Sequence, residues 1–221
     1  HRTADPASNP DDLDEEIIDA TPAQFEQQIK FLSRHFNFVS VEEVVDFVEG
    51  RASLPMNPVL VTFDDGYKEC HTLSLPILRR YGARATFFIS TQQMTERKLF
   101  WWDRMAWIVR NATKDRIEAR YPRLLALDVS SESAKHATHH TLTTIVKQTK
   151  GIDVDRFIED LERGAGCALG RETERLMVDR TLMTWDEVAA LSACGMSIGS
   201  HSYSHRVLQT LDPADFDLEL G

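Results

Sequence analysis

The chain is short of cysteine, of long apolar runs and of positive charge. Its three cysteines, Cys70, Cys167 and Cys194, are far apart and form no CxxC pair. That argues against a cysteine metal site, leaves the thiols as buried apolar groups, and permits at most one disulfide. No apolar stretch approaches membrane-spanning length. Lys and Arg total 25 against 35 Asp and Glu, and the formal net charge of −10 repels nucleic-acid phosphates and anionic membrane surfaces alike. Neither nucleic acid nor a membrane is an expected partner. No signal peptide is visible, but the chain opens at His1 rather than Met, so an N-terminal segment is expected to have been removed or omitted.

What is present suits a globular enzyme. The 221 residues are 42% apolar and 27% charged, enough to bury a full core in one domain. Residues 3–20 are acidic, contain proline and read as a loop. Thr21, Pro22 and Gln24 form a capping box with proline in the first turn. Phe25, Ile29, Leu32 and Phe36 then repeat at helical spacing. Phe38 and Val39 suit a short strand. Ser40 and Glu43 form a second capping box, opening a helix with Val41, Val44, Val45 and Val48 turned inward and Gly50 at its end.

After Pro58, the unalternating β-branched run 59–63 reads as a strand buried on both faces. Residues 75–82 suit a helix ending at Gly82, and 85–90 a second buried strand. Strand, helix and strand with short links are the mark of a parallel α/β unit. Residues 92–183 break the rhythm. They offer helices over 99–110, 133–150 and 154–163 and no convincing buried strand, so they read as a helical insertion. A third capping box, Thr184 with Glu187, opens a helix striped by Trp185, Val188 and Leu191 and closed by Gly195. Residues 196–200 are a strand, and 213–220 start another helix. Without 92–183, 129 residues and about four strands remain. A closed (β/α) barrel takes about 250 residues. The expected fold is therefore α/β, a partial (β/α) barrel with a helical insertion between its strands.

The chemistry lies at two strand ends. Thr62-Phe63-Asp64-Asp65-Gly66-Tyr67 puts adjacent carboxylates after one apolar run, and His201-Ser202-Tyr203-Ser204-His205 puts imidazoles four residues apart after another. In parallel α/β folds both sets fall on the carboxyl-end face, where sites form. Two His and one carboxylate are a common ligand set for a catalytic divalent metal. The remaining carboxylate can take a proton from activated water. Gly66 lets the chain turn away, and Ser202 and Ser204 can bond the loop and orient the imidazoles. His136, His139 and His140 have helical spacing but read as a solvated face, and His71 falls in the following segment. Phe100, Trp101 and Trp102 read as the core of a helical cap, with a sugar-stacking platform as the sharper option.

The first of these motifs resembles the opening motif of the NodB-homology polysaccharide deacetylases (carbohydrate esterase family four). The second resembles their His-(Ser/Thr)-x-x-His motif, and His1-Arg2 resembles the end of their first strand. The resemblance implies Asp65, His201 and His205 as metal ligands, Asp64 as general base and Tyr67 as a substrate contact. It implies one divalent metal, zinc before cobalt or nickel, and hydrolysis of N-acetyl groups on an N-acetylhexosamine-containing polysaccharide. It also implies an envelope or secreted setting and leaves the oligomeric state open. The family's arginine, oxyanion amide, aspartate–tryptophan pair and general-acid histidine follow the second motif, and only 16 residues follow His205. The chain is thus expected to be the N-terminal part of a deacetylase domain. Two other readings stay open: a non-catalytic carbohydrate-binding protein, if the later motifs are lacking, and a metal amidase acting on a small N-acyl substrate, if the insertion that sets His201 136 positions after Asp65 closes the groove.

Overall fold

The structure, a computed structural model, describes residues 1–5 and 13–220, so residues 6–12 of the expected loop lie outside the described part. Contacts divide the chain into two compact units: His1–Asn9, Glu15–Arg97 and Asp179–Ser202 form the first, and Pro10–Asp14, Lys98–Val178 and Tyr203–Gly221 the second.

The first unit opens with β1 (Arg2–Thr3), which pairs in parallel with β2 (Ile18–Ala20). Strand β1 falls where His1-Arg2 was expected to end a strand, and the segment expected to be a loop carries β2. Helix α1 (Pro22–His35) starts at the Thr21 capping box: the Gln24 N–H donates to Thr21 Oγ1 at 3.3 Å, and the Thr21 N–H donates to Gln24 Oε1 at 2.9 Å. Phe25 and Ile29 are buried. Strand β3 (Asn37–Phe38) leads to α2 (Val41–Val48), capped by Ser40 and Glu43. The expected inward face of α2 is only partly covered: Val41 and Val44 are half-buried, while Val45 is 43% and Val48 76% exposed. Periodicity decides which residues share a helix face, not whether another element covers it.

The run 59–63 is two strands rather than one. Strand β4 (Pro58–Val59) pairs with β3, and β5 (Thr62–Phe63) pairs with β6 (Thr86–Ile89), all in parallel. The chain changes neighbour between them, and the Val61 carbonyl already accepts the Thr86 N–H at 2.9 Å. A π-helical turn, Cys70–Ser74, feeds α3 (Leu75–Arg80). Such turns are rare and often sit beside functional sites. Phe63 stacks on Phe87 at 4.8 Å, and Phe25 meets Phe63 edge-on at 5.6 Å. Each such pair adds about 0.5–1.5 kcal/mol beyond its buried area, and together they bind α1 to the strands that carry the first motif. Helix α4 (Thr91–Glu96) follows.

In the second unit, α5 (Trp101–Arg110), α6 (Glu132–Gln148) and α7 (Val154–Ala165) answer the three expected helices. The stretch is not wholly helical. Strands β7 (Arg116–Ala119) and β8 (Leu125–Asp128) form an antiparallel hairpin. In β7 only Ile117 and Ala119 turn inward, an alternation too short and too charged to resemble a buried strand. Gly164 of α7 lies directly on β7, where an added Cβ would stand 2.0 Å from the Glu118 carbonyl oxygen. Helix α8 (Arg171–Thr181) had no clear sequence signal.

The first unit resumes with α9 (Trp185–Ala193), capped by Thr184 and Glu187, and β9 (Ser197–Ser200), which adds in parallel to β6. The second unit ends with α10 (Pro213–Leu220). Among the described residues the strands form separate sheets of two, two, three and two strands, and no sheet closes. No described helix is long and apolar enough to cross a membrane. All three cysteines are free, and only Cys70 is fully buried, while Cys194 is exposed. Burial pushes the Cys70 thiol far up, so it stays protonated and unreactive.

Two outcomes follow from this packing. Gly164→Ala should lose about 1–3 kcal/mol of stability through overpacking, read as a lowered urea midpoint at unchanged slope. An aromatic disulfide reagent at pH 8 should label Cys194 rapidly in the native protein and Cys70 only after denaturation, which peptide mapping resolves.

Candidate active site

The register of the three-stranded sheet positions the site. Phe63 lies opposite Phe87, and Ile89 opposite Ser200, with all strands parallel. The carboxyl ends of β5 and β9 therefore leave the sheet on the same side. The ladder runs one residue past β9, because the His201 N–H donates to the Ile89 carbonyl at 2.9 Å. Strand β9 approaches β6 closely at Gly199, where an added Cβ would stand 2.6 Å from Phe88 Cδ1. Any larger residue there would displace either the ring or the strand.

Asp65 is 1% exposed and holds the left-handed conformation at φ 76°, followed by Gly66 at φ 93°. Left-handed backbone at a non-glycine residue costs about 1–3 kcal/mol and persists only where surrounding contacts enforce it. Here the Met183 N–H donates to the Gly66 carbonyl at 3.0 Å, and the Lys68 N–H to the Thr181 carbonyl at 2.7 Å. An added Cβ on Gly66 would meet Met94 Sδ at 3.3 Å. The turn sends the two adjacent carboxylates apart. Asp65 Oδ1 faces His201 Nε2 at 3.6 Å, and Asp64 Oδ2 faces His1 Nε2 at 3.8 Å. Asp64 keeps a third of its side chain in contact with solvent.

The first unit thus brings together Asp64, Asp65 and His201. Tyr67, expected to touch substrate, is 0% exposed, and its ring lies under the buried Arg2 guanidinium at 5.0 Å. Arg2 in turn pairs with Glu69 at 2.5 Å. Tyr67 is therefore a core residue that offers no surface to a sugar.

His205 belongs to the second unit. Its backbone is left-handed at φ 57°, as Ser202 is at φ 60°. Glu219 of α10, 3% exposed, fastens this part of the loop. Its Oε2 accepts the Ser204 N–H at 2.8 Å, its Oε1 accepts the Ser204 hydroxyl, and its backbone carbonyl accepts the Tyr203 N–H at 2.9 Å. The Ser204 hydroxyl thus bonds a helix carboxylate. Trp102 and Phe100 flank the His205 ring at 4.7 and 5.7 Å. Phe100, Trp101 and Trp102 are all buried, which makes them a core cluster, not an exposed stacking platform.

The remaining histidines divide. His71 Nδ1 lies 3.8 Å from Glu187. His139 is not on a solvated face: it is 7% exposed and lies 3.9 Å from Asp14. Sequence spacing identified neither this burial nor Glu219, because Asp14 and Glu219 are each remote from their partners and carry no local motif. His1 was read only as a strand end, and its place beside Asp64 depends on the β1–β2 pairing.

Residues 51–221 match the family model described as polysaccharide deacetylase. The chain belongs to the polysaccharide deacetylase family. Among solved structures it is similar to the Streptococcus pyogenes deacetylase PplD in complex with acetate, at 16% identity and a TM-score of 0.51, over 99% of this chain and 59% of that one. It is also similar to the BpsB deacetylase domain of Bordetella bronchiseptica, at 18% identity and a TM-score of 0.40, over 93% of this chain and 49% of that one. No curated relative matches the chain. The chain spans between about half and three-fifths of the length of these solved structures. The likeness to PplD supports the α/β deacetylase fold.

A carboxylate and an imidazole 3.6 Å apart are beyond hydrogen-bond length and close to the separation of two ligands on one metal. Ligands at about 2.0–2.1 Å with a tetrahedral angle stand roughly 3.3–3.4 Å apart. The donor set therefore suits a divalent cation. Glu219→Ala would leave the Ser204 N–H and hydroxyl without their acceptor. It should cost about 2 kcal/mol, read by chemical denaturation, and Glu219→Gln should cost less because one carbonyl acceptor is kept.

Proposed function

We propose that this polysaccharide deacetylase family member is a metal-dependent hydrolase that removes N-acetyl groups from an N-acetylhexosamine-containing polysaccharide. The observation that carries the reading is the division of labour between adjacent carboxylates. Asp65, buried, faces His201 at 3.6 Å, while Asp64, partly open to solvent, faces away from that pair toward His1. Asp65 and His201 serve as metal ligands, and His205, four residues further along the same loop, as the third. Zinc suits this mixed carboxylate and imidazole set, and cobalt or nickel can replace it. When bound, the metal supplies Lewis-acid polarisation of the acetamide carbonyl and of the attacking water.

The chain's own residues do the rest. Asp64 accepts the proton of the water as its oxygen bonds to the acetyl carbon. The C–N bond then breaks, the amine takes up a proton, and acetate leaves. The parallel sets β1–β2, β3–β4 and β5–β6–β9 are read as an arc of a NodB-type barrel, with 92–183 inserted between its strands. Support for the reading comes from the family match and from strand ends that carry both motifs.

The test is acetate release from an N-acetylglucosamine oligomer. Asp64→Asn should lower kcat about 10²–10⁴-fold, the usual contribution of a positioned general base, while bound zinc measured by mass spectrometry stays at the wild-type level. Undiminished turnover in that variant would remove Asp64 from the role of base. A strong chelator should abolish activity and added zinc or cobalt restore it. Oligomer binding without acetate release, with zinc bound, would favour the non-catalytic alternative.

A further inference from the structure

We infer that Trp102 and Phe100, from the segment that separates the two motifs in sequence, are positioning residues for the His205 imidazole. This segment would then be a working part of the metal centre rather than an appended cap. The inference rests on the proposal that His205 is a ligand.

Rotamer preference alone does not fix the His205 ring, because the second side-chain torsion of histidine is broad and roughly two-fold rather than sharply staggered. An imidazole free to sweep through that torsion would carry its donor nitrogen through an arc, and a metal ligand must hold that nitrogen in place. The second unit supplies walls. The Trp102 ring meets the His205 ring at 4.7 Å and 73°, and the Phe100 ring meets it at 5.7 Å and 80°. Both are T-shaped contacts, an arrangement favoured by the ring quadrupoles.

The walls are themselves held. Phe100 and Trp102 stack on each other at 4.4 Å and 8°, and Trp101 packs edge-on against Trp102 at 5.1 Å and 86°. Residues two apart within a helix point to different faces. Phe100 can stack on Trp102 because it is the N-cap of α5, in extended backbone at φ −64° and ψ 153°. Phe100 is 0% and Trp102 6% exposed, so neither ring is spared for a sugar. From the other direction Glu219 anchors the Ser204 backbone, one residue before His205. Ring and backbone are thus restrained by separate elements, α5 and α10. Metal-bound histidines are ordinarily oriented by outer partners of this kind, whose loss weakens metal affinity.

The experiment compares zinc affinity, by chelator competition, in the wild type and in Trp102→Ala, Trp102→Phe, Phe100→Leu, His205→Ala and Phe157→Leu. Trp102→Ala should weaken zinc binding on the order of 10–100-fold, as loss of an orienting partner does, and should alter the visible absorption of the cobalt-loaded protein. Trp102→Phe should recover most of the affinity. Phe157→Leu, a buried change in α7, should lower the melting temperature of the metal-free protein without moving zinc affinity or the cobalt spectrum. If Trp102→Ala folds and keeps wild-type affinity and spectrum while His205→Ala loses both, the positioning role is overturned and the ligand role stands. If His205→Ala itself binds zinc like the wild type, the ligand assignment fails instead. Should Trp102→Ala not fold, Phe100→Leu decides: a several-fold loss of affinity supports the role, and an unchanged cobalt spectrum with unchanged affinity overturns it.

Discussion

The parallel pairing of β6 with β9 is the constraint on which the candidate site depends. It joins segments more than a hundred residues apart in the chain, and it carries one hydrogen bond beyond the strand, from the His201 N–H to the Ile89 carbonyl. Because β5 pairs in parallel with the other side of β6, both motifs leave the sheet at its carboxyl end. The 3.6 Å approach of Asp65 to His201 follows from that register. Slipping a parallel strand by one residue turns every side chain to the opposite face, which would point His201 away from Asp65. Gly199 against Phe88 shows how closely the two strands lie.

Strain accumulates where the ladder ends. Asp65, Ser202 and His205 all have positive φ without being glycine. Such conformations survive only when their surroundings hold them, and here each region has identifiable restraints. The carbonyl of Gly66 and the N–H of Lys68 bond residues 181–183, and Glu219 bonds residues 203 and 204. The left-handed turn at Asp65 is also what separates the roles of two adjacent carboxylates. One is sent into the protein toward an imidazole and the other is kept at the solvent boundary.

Local signals were read accurately where the physics is local. All three capping boxes, at Thr21, Ser40 and Thr184, are present with both of their hydrogen bonds. A cap depends on residues three apart and on little else. The strands were legible where they are apolar throughout, as at 86–89, and missed where half-exposed, as in the 116–128 hairpin. The inward face assigned to Val45 and Val48 was a statement about another element, and no described element covers those side chains. Tyr67 was misjudged for a related reason, since burial under Arg2 is a property of strand pairing and not of the motif.

The chemical inventory could be read along the chain: a paired carboxylate and a paired imidazole, each at the end of a strand-forming run, in the pattern of the polysaccharide deacetylase family. Residue type and short-range spacing suffice for that, because propensity and capping act over a few residues. Folding alone set the 3.6 Å approach of Asp65 to His201, the place of His1 beside Asp64, the anchoring of Ser204 by Glu219 and the packing of Trp102 on His205. These depend on strand register and on burial against residues from distant parts of the chain. Both are set by packing across the whole fold, which no local window of sequence contains.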